Sequence, residues 1–141
     1  MPNVPTDDEF LAYNEGVIAE FRANGGAVSK VPFPILLLTT TGARTGRPST
    51  VPLGFARDNG QLFVVASKAG APRHPAWFHN VRANPSVVVE IGDATYEARA
   101  AIVEGAERDR LYATVSDGTS PYENNTDRIF PVIVLDGVPA R

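Results

Sequence analysis

Cysteine is absent from the 141 residues, which excludes disulfides, thiolate metal sites and a thiol nucleophile. Long hydrophobic runs are missing too. Apolar stretches such as residues 35–38 and 87–89 are far too short to cross a bilayer. The acidic start, Asp7, Asp8 and Glu9, is unlike a signal peptide. Neither the G-x-G-x-x-G motif of dinucleotide-binding folds nor the P-loop pattern is present. No G-x-S-x-G setting surrounds Ser67, so hydrolase chemistry has no support. There is no repeat and no low-complexity tract. These absences predict one domain over residues 1–141, in a soluble cytoplasmic protein with no stable membrane insertion.

What the chain does have is a concentration of positive charge. Between Arg44 and Arg82 stand six bases (Arg44, Arg47, Arg57, Lys68, Arg73, Arg82) and one acid, Asp58, a net of +5 in a protein whose total is -3. The bases gather at two glycine-bearing turns, Thr41-Gly42-Ala43-Arg44-Thr45-Gly46-Arg47-Pro48 and Ser67-Lys68-Ala69-Gly70-Ala71-Pro72-Arg73-His74-Pro75. A cationic zone on an acidic protein points to a small polyanionic ligand. Nucleic acid fits poorly, because the zone is short, the remainder is acidic and exposed aromatics do not alternate with the bases. His74 and His79 are spaced more widely than a helical ligand pair, with Pro75 between them and no carboxylate cluster nearby, so no metal site is expected.

The patterning predicts a mainly β protein. Thr6 followed by Glu9 has capping-box spacing, and Phe10, Leu11, Val17, Ile18 and Phe21 form one stripe ended by Gly25-Gly26. This marks an N-terminal helix within residues 1–26, packed on the body; docking on a membrane surface, where its acidic face would be repelled by anionic lipid, or serving as a lid over the site is the weaker reading. Strands are expected at residues 35–40, 50–57, 61–66, 86–91, 95–103 and 130–135, and short helices at 75–83 and 106–115. Asp58-Asn59-Gly60 and Gly92-Asp93 read as hairpin turns. Six strands joined mostly by tight turns predict an antiparallel sheet curled into a small barrel. Gly42 and Gly46 then lie between two strands, where they are expected to let backbone amides face an anion closely while Arg44 and Arg47 supply forked hydrogen bonds.

The run Leu36-Leu37-Leu38-Thr39-Thr40-Thr41-Gly42-Ala43-Arg44-Thr45-Gly46-Arg47-Pro48, then Pro52-Leu53, Val64-Val65-Ala66-Ser67-Lys68-Ala69-Gly70, and His74-Pro75-Ala76-Trp77-Phe78-His79-Asn80 with Ala83-Asn84-Pro85, resembles the deazaflavin-dependent nitroreductase family. These are reductases that use coenzyme F420 on a split β-barrel of the FMN-binding type, and the resemblance covers roughly residues 33–136. It implies that Arg44, Thr45, Gly46 and Arg47, with Pro48 closing the turn, hold the phosphate and glutamate tail of F420, assisted by Lys68. Ala76, Trp77 and Asn80 would line the cofactor from the short helix, Val65, Ala66 and Ser67 would run beside the ring, and Pro52 would shape the same wall. The family's commonly basic residue after Pro48 is Ser49 here, and an aromatic expected three residues before Tyr122 is Thr119.

The implied activity is hydride transfer from reduced F420 to a small electron-poor acceptor: a quinone, an activated enone or a nitroaromatic. Tyr122 and Ser67 are the catalytic candidates, as donors to an acceptor oxygen, a role in which one aimed donor contributes on the order of 3 kcal/mol. Phe55, Tyr122, Ile129 and Phe130 would line a flat apolar pocket. Judged alone, Trp77 reads as core, and Tyr96 and Tyr112 as packing residues. Two alternatives stand beside this reading: a split-barrel oxidoreductase that uses FMN, and a non-catalytic F420-binding protein.

Overall fold

The structure is a computed structural model that describes residues 7–29, 31, 33–66, 75–115 and 130–139, with backbone only for 7–11. Among these residues seven strands, β1 (Ile35–Thr41), β2 (Pro48–Gly54), β3 (Ala56–Asp58), β4 (Gln61–Val65), β5 (Ser86–Ile91), β6 (Ala94–Val103) and β7 (Val132–Asp136), form one sheet in the order β2-β1-β5-β6-β7-β4-β3. Every pairing is antiparallel. Among the described residues three helices accompany it: α1 (Asp7–Ala23), α2 (Ala76–Ala83) and α3 (Gly105–Ala113).

The sheet has one strand more than expected, because the predicted strand at residues 50–57 is two. β2 pairs with β1 at one edge and β3 pairs with β4 at the other, yet only Phe55 separates them in sequence. Two edges joined by one residue cannot lie far apart, so the sheet curls and β2 comes back against β4. The break falls where a Cβ on Gly54 would meet the Phe33 ring at 2.9 Å, so glycine is what lets that ring lie on the strand. At the opposite turn, Asn59 (φ 53°) and Gly60 (φ 81°) are both left-handed, the geometry a two-residue hairpin needs.

The consecutive apolar residues of β1, β4 and β7 reflect burial on both faces. Leu36 and Leu38 of β1, Leu62 and Val64 of β4, and Ile133 and Leu135 of β7 point inward, where Trp77, Phe78 and Val81 of α2 join them in the main core. Ile35 and Leu37 point outward and are covered by Val17 and Phe21 of α1. Phe63, Val132 and Val134 are covered in the same way by Leu111 of α3. The apolar stripe of α1 is thus buried against the barrel, and no described helix is long and apolar enough to cross a membrane.

Ion pairs tie the helices to the sheet. Arg22 of α1 grips Glu90 of β5 through Nε (3.1 Å) and Nη2 (2.8 Å), and that contact raises the arginine's already high pKa. Arg110 of α3 donates to Glu107 on its own helix and to Asp58 of β3 at 2.6 Å. The hydrogen bonds from Arg110 hold the Glu107 carboxyl below its ordinary value of 4.5. A carboxylate lowered by folding contributes stability above that ordinary value and loses it as pH falls through the lowered one. The Glu107→Gln protein therefore loses stability less steeply than the wild type below about pH 4.5 in denaturant titrations. The difference is small because both side chains are exposed. Identical slopes would remove this role.

Candidate functional site

The cationic turn between β1 and β2 is folded by its own hydrogen bonds. Gly42 N–H donates to Arg47 O at 2.8 Å, Gly46 N–H to Gly42 O at 3.0 Å, and Arg47 N–H to Thr45 Oγ1 at 3.2 Å. The two glycine amides are therefore used inside the turn. Their necessity has other causes: a Cβ on Gly42 would come within 2.6 Å of Thr45 Oγ1, and Gly46 has φ +69°. The Arg44 and Thr45 amides take no part in this network among the described residues. Arg44, Thr45, Gly46, Arg47 and Pro48 are all exposed. Arg22, Arg108 and Arg110 each have a carboxylate partner, whereas none pairs with Arg44 or Arg47 among the described residues. The tip carries two guanidiniums and two amides open to a ligand.

Helix α2 stands directly against this turn. Asn80 Oδ1 accepts from Ala43 N–H at 3.0 Å, and Asn80 Nδ2 donates to Thr40 Oγ1 at 3.0 Å. One turn later Asn84 Nδ2 reaches Thr41 O at 3.5 Å, a longer contact. Trp77 and Phe78, 7% and 5% exposed, and Val81 root the same helix in the barrel core. Ala76 is exposed at its start, and Ala66, fully buried at the end of β4, donates its N–H to Pro131 O.

Structure thus brings Arg44, Thr45, Gly46, Arg47 and Asn80 to one place, with Trp77 and Ala66 packed in the core beneath. Two expected residues stand elsewhere. Pro52 is opposite Leu37 in register and shares the outer face that α1 covers, and Val65 packs with the cluster beneath α3. Phe130, at 3% exposure, is core and meets Tyr112 edge-on, while Phe55 is half-buried against the main core. Ser67, Lys68, Arg73, His74, Thr119, Tyr122 and Ile129 lie outside the described residues.

Sequence reasoning passed over Thr40. It is the buried polar residue among the described ones, at 2% exposure, and its hydroxyl holds Asn80. A signal existed, since Asn80 and Asn84 are spaced i, i+4 and so share the helix face turned to β1.

A family model described as F420H(2)-dependent quinone reductase matches residues 14–137. An F420H(2)-dependent quinone reductase of Mycobacterium tuberculosis is 38% identical over 126 residues, spanning 83% of this chain and 85% of that protein. Among solved structures, an F420-H2 dependent reductase is 41% identical, covers 73% of this chain and 94% of its own, and superposes with a TM-score of 0.62. A domain-swapped dimer is 33% identical, covers 93% of this chain and all of its own, and has a TM-score of 0.65.

Proposed function

The chain belongs to the F420H2-dependent quinone reductase family, and from that membership we propose that it reduces a flat, electron-poor acceptor, a quinone before an enone or a nitroaromatic, at the expense of reduced F420. Family membership makes it an oxidoreductase and F420 its cofactor, so FMN and a purely sequestering role fall away.

One observation supports the assignment of the site: the exposed turn presents Arg44 and Arg47 without carboxylate partners among the described residues, on a backbone locked by its own hydrogen bonds. F420 carries a phosphate and a glutamate tail, and two guanidiniums at fixed positions suit both groups. The residues fit the cofactor. Arg44, Arg47 and the Arg44 and Thr45 amides would hold the anionic end, with Lys68 assisting. Trp77 and Ala76 would bound the apolar end, with the fully buried Ala66 supporting it from beneath. Val65 and Pro52 point their side chains to outer faces, so their strands would contribute backbone only. When bound, the reduced deazaflavin supplies a hydride. The protein's share is to orient the acceptor, exclude water and steady the charge that develops on the acceptor oxygen. Tyr122 and Ser67 are the proposed donors to that oxygen.

Mixing the protein with F420H2 and a panel of quinones, enones and nitroaromatics, and following F420 oxidation by absorbance, tests the reading. Acceptor-dependent oxidation, fastest with quinones, is expected; no oxidation by any acceptor would overturn it. Tyr122→Phe and Ser67→Ala should each lower kcat about tenfold or more without abolishing F420 binding. Unchanged turnover across the panel in both variants removes the donor roles.

A further inference from the structure

We propose that Asn80 is a positioning residue: acting through Thr40 and the Ala43 amide, it holds the β1–β2 turn in its cofactor-binding shape. The inference rests on the assignment of that turn to the anionic end of F420. Both ends of the Asn80 amide are occupied by protein, Oδ1 by the amide of the residue just before Arg44 and Nδ2 by the Thr40 hydroxyl. Thr40 sits on the inward face of β1, two residues beyond Leu38 and 2% exposed. A buried hydroxyl at that depth costs stability unless it is hydrogen-bonded, and Asn80 is the partner the structure gives it.

The mechanical consequence follows from where each partner is anchored. Trp77, Phe78 and Val81 fix α2 in the barrel core, so Asn80 projects from a rigid support. The turn, by contrast, is exposed from Ala43 to Pro48 and is closed by only a few bonds of its own. The contact at Ala43 N–H is its hydrogen bond to a rigid helix nearest the arginines, and Asn84 adds a weaker one at Thr41 O. Without it, Arg44 and Arg47 would keep their charge but lose their set direction, and ordering them would have to come out of the binding energy.

Titrating oxidised F420 into variants and following its fluorescence tests this without any turnover. Asn80→Ala is expected to weaken binding about tenfold, the scale of one or two lost hydrogen bonds. Thr40→Val keeps the shape but removes the hydroxyl, and should weaken binding about threefold or more. Thr40→Ser should restore near wild-type affinity. Because Asn80 acts through the arginines, adding Asn80→Ala to Arg44→Ala should cost clearly less than it costs alone. Fully additive losses, or wild-type affinity in Thr40→Val, would overturn the proposal and make Asn80 a direct contact or a bystander. A normal affinity in Arg44→Ala would instead sink the assignment of the turn. If Asn80→Ala does not fold, as a thermal melt would reveal, the Thr40 pair alone decides, since a threonine this buried cannot touch the cofactor itself.

Discussion

Replacing Arg44 and Arg47 together with alanine weakens F420 binding roughly a thousandfold, each charge-assisted hydrogen bond contributing about 1.5 to 3 kcal/mol. The expectation has three parts. Both guanidiniums are exposed and without carboxylate partners among the described residues, so no internal ion pair is broken and stability should hardly move. Arg44→Ala alone should lose about ten- to a hundredfold, and the double variant should approach the product of the single losses only if the two side chains grip different parts of the anion. Finally, Arg44→Lys should recover part of the loss, since it keeps the charge but not the fork. Because the groups are exposed, raising the salt should weaken the wild type clearly more than the double variant, which keeps only Lys68 at the anionic end. Isothermal titration or fluorescence quenching with F420 measures all of these. An unchanged dissociation constant in the double variant would leave the turn without a role in binding.

The same turn shows how far sequence could be read. Its charge was legible because six bases crowd into 39 residues of an acidic chain, a property that no fold can hide. The fate of its glycine amides was not, because a tight turn between strands could direct them either way until the bonds from Gly42 to Arg47 and from Gly46 to Gly42 are known. The link from Thr40 to Asn80 spans 40 positions and leaves only a threonine in an apolar run as its trace. Strand existence was legible from apolar runs and hairpin turns, and the strand at residues 130–135 appears as β7 shifted by two residues at its start and one at its end. The break at Phe55 was not, because β-type residues continue through it, and what divides the strand is a choice of partners on opposite edges of the sheet. Trp77 shows the limit most plainly: a lone tryptophan in a motif suits core and cofactor wall alike, and the structure places it in the core with 7% exposure, at the root of the helix that carries Asn80.

Gly25-Gly26 was legible as a helix end, and it is one: Gly26 N–H closes on Phe21 O at 2.9 Å, with Gly25 at φ +60°. Gly26 also has a second duty that sequence could not disclose. At φ +98° it lies against the β5–β6 turn so closely that a Cβ would sit 2.7 Å from Gly92 Cα and 3.0 Å from Gly92 O. Backbone cannot yield as a side chain does, so Gly26→Ala must push the end of α1 away from the sheet, in addition to the cost of about 1 to 2 kcal/mol for a left-handed alanine. The displacement loosens Val17 and Phe21 from Ile35 and Leu37, where each large apolar side chain contributes about 1.5 to 3 kcal/mol by its burial, and strains the Arg22–Glu90 fork beside it. A total loss of about 3 kcal/mol or more is expected, a fall in Tm of roughly 10 °C for a domain of this size. Gly105→Ala supplies the control, because Gly105 is also left-handed, at φ +62°, but an added Cβ there meets nothing within 4 Å. It should show the conformational cost alone, about 1 kcal/mol. Below its Tm, the Gly26→Ala protein should still bind F420 with an affinity near that of the wild type, since the arginine turn is held by α2 and not by α1. Equal melting temperatures for the two alanine variants would show that α1 is not held by the contact with Gly92.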